Sequence, residues 1–234
     1  MGFAVDLLSR AAQRLGYRLA PADAPDSALY VLHQYKDASG EFDYARYRRV
    51  QTEGNRRKIE TVWVQRENIA FLAALIRERM PVPTFGLCHG TRRGLEQQWF
   101  GEELGCPVLG TEISDTATQF PDTIQWDFHE AKEEWLGAAD FVYSNSFDHA
   151  HDPEKALGSW MRCLKPGGLC ILEHSTRHGP EGASELDPFG ADLFVLPYLV
   201  LRWGRGRYAV RELLDAPKSK SKNFTTRFLV LMNG

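Results

Sequence analysis

The chain has 234 residues, of which 43% are hydrophobic and 25% are charged, and 28 basic and 31 acidic side chains give it a net charge of −3. This length suits one folded domain with a small addition, and the apolar fraction excludes disorder as the main state. The negative net charge argues against a dedicated nucleic-acid-binding protein, which would be clearly basic.

The amino-terminal third predicts helices around a segment rich in aromatic and basic side chains. Residues 4–15 have the pattern of a short helix, and residues 26–60 form the aromatic and basic segment. A helix is predicted over residues 65–79, because apolar side chains recur there at a spacing of three to four residues. Pro81 follows it and ends the pattern.

From Pro83 onwards, short strands alternate with helices. The predicted elements are a strand over 84–88, a helix over 94–104, strands over 108–113, 123–127 and 140–144, a helix over 153–163, a strand over 169–173, and two final strands over 208–214 and 224–232. This alternation is typical of βαβ units, and it predicts a mostly parallel sheet with helices on both faces.

The sequence shows no membrane or export signal. Its longest apolar run, over residues 193–201, contains Pro197 and is far shorter than the roughly 20 residues that a membrane span needs. Asp6 and Arg10 interrupt the amino-terminal apolar stretch, which argues against a signal peptide. The four cysteines have no C-x-x-C spacing. We therefore expect a cytoplasmic protein with reduced thiols.

Ligands of such a sheet bind beyond the carboxyl ends of its strands, so the residues that follow each strand are the candidates. After the first strand of the alternating region come Cys88, His89, Gly90, Arg93 and Gly94. The two glycines let the backbone approach a ligand closely, and the next helix offers free N–H groups at its start. A plain tight turn is the alternative interpretation of these glycines.

Acidic residues end the next two strands. Glu112, followed by Ile113, lies 22 residues beyond Gly90, the spacing at which an acid accepts hydrogen bonds from ribose hydroxyls. Asp127 can accept a hydrogen bond from an adenine amine, with Phe128 against the ring. A helix cap or a solvated acid is the alternative for Glu112. Together these positions predict an adenosine site.

These residues give the sequence a resemblance to the class I S-adenosylmethionine-dependent methyltransferases. The strongest marker is the L-K-P-G-G run at 164–168, which matches the turn before the family's fifth strand. The order of Gly90, Glu112, Asp127 and this turn also matches, over about residues 83–175. The resemblance implies a Rossmann-like, seven-stranded, mostly parallel sheet with an antiparallel carboxyl-terminal hairpin. It also implies S-adenosylmethionine as the cofactor.

The glycine loop departs from the family pattern, which has an acid at the position of Gly86. That acid supplies the usual contacts to the methionine end of the cofactor. We predict that Arg93, or Asn55 and Arg57, supplies some of them here, since an arginine fork binds both oxygens of a carboxylate.

The distribution of charge supports a division of the chain near residue 80. Residues 1–80 carry 13 basic and 10 acidic side chains, residues 81–180 carry 7 and 15, and residues 181–234 carry 8 and 6. We predict an amino-terminal helical extension and lid over 1–80, and the methyltransferase-like core over 81–234. A solvated helix face is the alternative for the basic segment 46–58.

Side chains suited to chemistry follow the fourth and fifth strands of the core. They are Asn145, assigned to the cofactor site, and the predicted catalytic residues His149, Asp148, Glu173 and His174. Three interpretations are open: His149 acts as a general base oriented by Asp148 or Glu173, His149 and His151 bind a metal, or these histidines only hold loops. The first is our prediction, without a metal.

The predicted function is methyl transfer from S-adenosylmethionine to an oxygen or nitrogen of a small molecule or a sugar or glycan acceptor. Two alternatives remain: another transferase with a related nucleoside cofactor, and a catalytically silent methyltransferase-like binding domain. We expect no nucleic-acid or membrane partner, and a monomer or homodimer.

Overall fold

The computed structural model describes residues 30–234, and the helix predicted over residues 4–15 lies outside that part of the chain. The strands and helices are, in chain order, β1 (Tyr30–Leu32), α1 (Tyr44–Arg57), α2 (Arg66–Arg79), β2 (Gly86–His89), α3 (Leu95–Leu104), β3 (Val108–Glu112), β4 (Thr123–Gln125), β5 (Ala139–Ser144), α4 (Pro153–Cys163), β6 (Leu164–Ser175), β7 (Phe189–Ala191), α5 (Leu196–Gly204), β8 (Tyr208–Asp215) and β9 (Thr226–Asn233). No helix within residues 30–234 is long and apolar enough to cross a membrane.

Seven strands form one sheet in the order β4-β3-β2-β5-β6-β9-β8. The strands from β4 to β6 in this order are parallel, and β9 pairs antiparallel with both β6 and β8. The chain builds β3 and β4 on one side of β2, then places β5 on its other side, so the strand order reverses between β2 and β5. Ligands of open α/β sheets bind at such a reversal.

Each face of the sheet has its own apolar cluster. Helices α4 and α5 cover one face through side chains that include Trp160 and Leu199. Helices α2 and α3 cover the other, through Ile69, Leu72 and Phe100 among others. Every residue of β2 and β5 is buried, as expected for parallel strands covered on both faces. The predicted Rossmann-like, seven-stranded fold is confirmed.

Two helices begin where an aspartate caps them. The Asp43 carboxylate accepts a hydrogen bond from the backbone N–H of Arg46 at 2.9 Å, which starts α1 within the predicted basic segment. The Asp152 carboxylate does the same for α4, and Pro153 follows in the first turn, where its missing N–H costs nothing. Helix α4 therefore has the predicted bounds.

Some boundaries differ from the prediction. The L-K-P-G-G run, expected as a turn before a strand over 169–173, belongs to β6 itself. Gly167 has a φ of +79°, and the pairing register with β5 shifts between Ala139 and Phe141, so the run is an irregular start to this strand. Strands β1 and β7, which form a separate antiparallel pair, were not predicted. Their pairing is between distant segments, and three residues carry too little periodicity to be recognised.

Gly86 opens β2 at the position where the family pattern has an acid. A Cβ on Gly86 would lie 2.2 Å from Cζ of Phe141, whose ring fills that space from the neighbouring strand β5. Phe141 is fully buried in the cluster under α2 and α3. The missing acid is therefore matched by an aromatic ring in the core, so the position cannot contact a ligand through a side chain.

Gly86→Ala should overpack this contact and lower the free energy of unfolding by about 1–3 kcal/mol. Gly158→Ala is the matched control, because a Cβ there meets nothing within 4 Å. Gly158 lies inside α4, so its replacement by alanine should stabilise the protein by about 0.5–1 kcal/mol. Urea unfolding of both variants measures the difference. Equal stability of the two variants would show that the Phe141 ring moves aside without lowering the free energy of unfolding.

Candidate cofactor and active site

Two adjoining cavities lie at the carboxyl edge of the parallel strands. The main cavity has a volume of about 290 Å³ and includes Arg93, Asn145 and Asp187 in its wall. The inner cavity has a volume of about 40 Å³ and includes Glu112 and Phe128. The residues that line both are Lys58, Gly90, Arg92, Ser146 and His149. The shared wall makes them two parts of one site above the reversal of strand order.

The glycine loop after β2 forms the floor between the cavities. Gly90 has a φ of +74°, which favours glycine, and a Cβ there would lie 2.6 Å from Cβ of Ser146. The Ser146 hydroxyl donates a hydrogen bond to the carbonyl of Gly90 at 3.0 Å. Gly94, with a φ of +75°, precedes α3. The backbone can thus pass close to a ligand, as the sequence predicts.

Glu112 ends β3 and lines the inner cavity beside Ile113. Its carboxylate accepts hydrogen bonds from the backbone N–H of Ser114 at 2.9 Å and of Arg92 at 3.2 Å. Burial raises the pKa of Glu112, and these hydrogen bonds counteract that effect in part. The Asn55 side chain also hydrogen-bonds to this carboxylate, so a diol in the cavity would share the remaining acceptor positions with Asn55. The geometry therefore fits the predicted contact with a ribose.

Asp127 already has partners within the chain. It accepts hydrogen bonds from the hydroxyl of Tyr44 at 2.9 Å, and from the imidazole and backbone N–H of His129 at 2.6 and 3.0 Å. Burial alone would raise the pKa of Asp127, but the hydrogen bonds and the charge of His129 lower it to about 2. Asp127 does not line either cavity, whereas Phe128 lines the inner one.

Arginines and a buried acid line the part of the main cavity near α3. Arg93 pairs with Glu60 at 2.7 Å, and Arg92 donates to the carbonyl of Thr61 at 2.9 Å. The Asn145 amide donates to Glu96 at 3.0 Å. Burial raises the pKa of Glu96 to about 7. Arg93 and Asn145, both predicted for the cofactor site, line the same cavity.

His149 stands between the two cavities, with different partners on its two ring nitrogens. Nδ1 lies 2.8 Å from Oε1 of Gln51, on α1. Nε2 lies 3.5 Å from Oδ1 of Asp187, in the wall of the main cavity. The neighbouring Asp148 has its Oδ1 buried without a hydrogen-bond partner, and burial raises its pKa to about 6. His149 and Asp148 therefore both lie at the main cavity, and Asp187 is a third residue there, beside Nε2 of His149.

Among residues 30–234, two groups of side chains have the spacing of metal ligands. One consists of Asp148, His149 and Asp187, and the other of Asp127, His129 and His151. In each group the ligand atoms lie within 4.8 Å of one another. The structure assigns His149 and His151 to different groups, and His151 stacks on the ring of His129 at 3.9 Å. The His149–His151 metal site considered from the sequence is therefore not assembled.

Four predicted site residues point their side chains elsewhere. Cys88 is buried in the cluster under α2 and α3. His89 stacks on Trp160 at 4.9 Å, on the other face of the sheet. Glu173 and His174 line only a small cavity behind the main one. Alternation along a strand sends successive side chains to opposite faces, which explains these positions. Cys88 and His89 can reach a cofactor only through their backbone.

Glu173 takes part in a buried network rather than in the wall of the main cavity. The Tyr143 hydroxyl donates to its carboxylate at 2.8 Å, and Trp63, a wall residue of the main cavity, also donates to it. Burial raises the pKa of Glu173 to about 7, and hydrogen bonds with the side chains of Tyr143, Trp63 and Asn68 limit the rise. Glu173 thereby orients Trp63.

Several residues of the site were not predicted from the sequence. They are Gln51, Lys58, Trp63, Glu96, Arg177 and Asp187. Most belong to α1 or to the loops that flank it and β6, far along the chain from the glycine loop. The sequence prediction considered the residues that directly follow strands of the core. Most of the residues above reach the cavities instead because the amino-terminal extension packs against the core. The aromatic and basic composition of residues 26–60 was the one available signal.

The wild type should lose about 1–2 kcal/mol of its free energy of unfolding between pH 5 and pH 8 through ionisation of Glu173, and Glu173→Gln should remove this loss. The wild-type folded state holds a proton that the unfolded carboxyl loses near pH 4.5, so stability falls as pH rises towards 7. The amide removes this loss and still accepts from Tyr143. Denaturant unfolding at both pH values measures it, with exposed Glu133→Gln as the control. Loss of stability at both pH values would contradict the proposed cost of ionisation.

Comparison with known proteins agrees with the fold and the glycine loop. Residues 87–172 match the family model described as a methyltransferase domain. The sequence has no match among curated proteins. A Burkholderia thailandensis 1,6-didemethyltoxoflavin-N1-methyltransferase, solved with its substrate and S-adenosylhomocysteine, has a TM-score of 0.61 at 14% identity, covering 92% of this chain and 93% of that one.

Two further solved structures share the fold at similar identity. A TehB-like methyltransferase from Corynebacterium glutamicum has a TM-score of 0.52 at 16% identity, covering 82% of this chain and 100% of that one. The mitomycin 7-O-methyltransferase has a TM-score of 0.53 at 14% identity, covering 71% and 53%. The matched segment contains the glycine loop, Glu112 and the strand-order reversal. The chain therefore contains a segment, residues 87–172, that matches the methyltransferase domain, on a fold that it shares with S-adenosylmethionine-dependent methyltransferases.

Proposed function

We propose that this methyltransferase transfers a methyl group to an oxygen or nitrogen of a small molecule, with His149 removing the proton. The observation that carries the proposal is the position of His149, whose Nε2 faces the main cavity beside Asp187 and whose ring borders both cavities. An imidazole between a cofactor space and an acceptor space is suited to take a proton from the acceptor as the methyl group is transferred.

The residues present fit S-adenosylmethionine at the two cavities. Glu112 and Phe128 would hold the ribose and adenine at the inner cavity, and Gly90 brings the backbone close. Arg93 and Asn145 would bind the methionine end in the main cavity. The cofactor supplies a methyl group already activated by a sulfonium. The enzyme therefore has to align the acceptor and exclude water, and it has to move a proton where the acceptor carries one.

Helix α1 would act as a lid over the adenosine. Tyr47, Gly54 and Asn55 of α1 line the inner cavity, which at about 40 Å³ is far below the roughly 300–1,000 Å³ of typical ligand pockets. Among the contacts that hold the helix are the exposed pairs Tyr44 to Asp127 and Arg56 to Asp115, and the buried hydrogen bond from Thr116 to Asn55. Buried Tyr47 and Gln51 also anchor α1, so an outward movement of the helix has a cost that bound cofactor would have to offset.

Proton transfer has a simple path. With Nδ1 bound to Gln51, the Nε2 lone pair faces the main cavity and takes the proton of an acceptor hydroxyl or amine. The imidazolium that forms lies 3.5 Å from the Asp187 carboxylate, which stabilises its charge. Asp148 lies in the same wall and adds negative potential when it is ionised. Glu173 and His174 have no part in this path, because they lie behind the wall.

The named neighbours support a small-molecule acceptor but differ in the atom that is methylated. One is titled an N1-methyltransferase and another a 7-O-methyltransferase. The main cavity, at about 290 Å³, is at the lower end of small-molecule pockets. A small acceptor therefore suits the site better than a glycan chain.

Calorimetry with S-adenosylhomocysteine should detect binding to the wild type, and Glu112→Gln should weaken it about tenfold, because an amide replaces one strong acceptor for the ribose diol. Glu78→Gln, on the exposed side of α2, is the matched control. Unchanged affinity in Glu112→Gln would remove Glu112 from the cofactor site. Absence of binding by the wild type would favour the silent binding domain instead.

His149→Ala should reduce methyl transfer about 100-fold or more, with affinity for S-adenosylhomocysteine unchanged within twofold. The assay follows label from S-adenosylmethionine into a panel of small hydroxylated and amino compounds. His33→Gln, a histidine outside both cavity walls, is the control. A chelator added to the wild type tests the metal interpretation of Asp148, His149 and Asp187. Full activity of His149→Ala would refute the general base, and loss with the chelator would favour a metal.

A further inference from the structure

We propose that Gln51 is a positioning residue that sets the tautomer of His149, so that closure of α1 assembles the base. The inference rests on the proposed function, since it concerns how the same histidine is prepared. Gln51 is 6% exposed and lies in the middle of α1, with its side chain between His149 and the loop after β6. It is one of the few polar side chains that join the lid directly to the predicted base.

The orientation of the Gln51 amide is fixed by its neighbours. Its Nε2 donates to the carbonyl of Leu186 at 2.8 Å, and the Gln51 side chain also hydrogen-bonds to the oxygen of Tyr35. The Tyr35 hydroxyl hydrogen is used on the carbonyl of Glu185, so its oxygen accepts from Gln51. A carbonyl can only accept, which places the NH₂ group on this side and Oε1 on the other.

The amide orientation then decides where the imidazole proton sits. Oε1 of Gln51 lies 2.8 Å from Nδ1 of His149 and can only accept a hydrogen bond. Nδ1 must therefore carry the hydrogen, and neutral His149 keeps its lone pair on Nε2. The backbone of His149 is also held to α1, because the Tyr47 hydroxyl donates to its carbonyl at 3.1 Å. The nitrogen that faces the main cavity is thus the basic one.

The loop after β6 connects this arrangement to the lid. Leu186 supplies the carbonyl that orients Gln51, and the next residue, Asp187, supplies the carboxylate beside Nε2. The loop and α1 pack tightly, since a Cβ on Gly54 would lie 2.2 Å from Cδ1 of Leu186. A displacement of α1 therefore removes Gln51 from both partners. In the open state His149 is free to adopt the other tautomer, with its hydrogen directed at the acceptor.

Other charged groups near His149 do not select the tautomer. Asp187 and Asp148 carry acceptor oxygens, and Asp187 faces Nε2, so by itself it would favour a hydrogen on that nitrogen. Lys58 and His178 share the cavity wall but make no hydrogen bond to the ring. Among the described residues, Gln51 alone offers an acceptor to Nδ1 within hydrogen-bond distance. Its removal should therefore reverse the preference.

The direct test is nitrogen NMR of histidine side chains in the full chain with S-adenosylhomocysteine, with the His149 signals assigned by His149→Ala. The wild type should show a protonated Nδ1 and an unprotonated Nε2. Gln51→Met keeps the side-chain length and removes the acceptor, so it should move at least half of His149 to the Nε2–H tautomer. Gln51→Glu keeps an acceptor at this place and should retain the Nδ1–H tautomer.

The same variants separate positioning from a structural role in the lid. Gln51→Met should lower kcat about 10- to 100-fold and leave the KM for S-adenosylmethionine within about twofold. Thr52→Val, an isosteric change on the outer face of the same helix, should alter neither tautomer nor kcat. A wild type with Nε2–H, or an unchanged tautomer in Gln51→Met, would overturn the inference. If His149→Ala retains methyl transfer while the tautomer responds to Gln51, the general base fails and the positioning contact stands.

Discussion

The reversal of strand order between β2 and β5 is the constraint on which the rest of the site depends. Neighbouring strands whose connections leave in opposite directions open a crevice at their carboxyl ends. The Gly90 loop and Ser146 face each other across that crevice and are hydrogen-bonded at 3.0 Å. Glu112, one strand further out, lies close enough to line the same space. Residues that follow three different strands thus meet at one crevice, although they are far apart in the sequence.

The fold of the core was predictable from the sequence because its signals are local. Helix α4 has an aspartate cap and a proline in its first turn, and the strands carry apolar runs between turn residues. Gly90 and Glu112 were found by the same means, since they end elements whose type is readable. The short pair β1 and β7 was missed, because its stability comes from contacts between segments about 160 residues apart.

The site was only partly predictable, and the limit is a physical one. Gln51 and Asp187 meet on either side of His149, but one comes from α1 and the other from a loop after β6. No spacing in the sequence relates them. His174 shows the opposite failure. It was predicted to be catalytic, yet its direction along the strand places it at the small cavity behind the wall. Side-chain direction depends on register, which the sequence pattern alone leaves open.

In the proposed mechanism, the contacts of Asp127 and Phe141 link cofactor binding to movement of α1. Phe141 takes the space of the acid that the family pattern places at Gly86, and Tyr44 of α1 holds an oxygen of Asp127. Ligand contacts expected of the core are thereby replaced by core packing in one case and by a lid residue in the other. A cofactor that enters the inner cavity has to displace part of α1, and it recovers that cost only when α1 closes over it. Because α1 also carries Gln51, the proposed closed state that binds the cofactor most completely would also be the state in which His149 is ready to accept a proton.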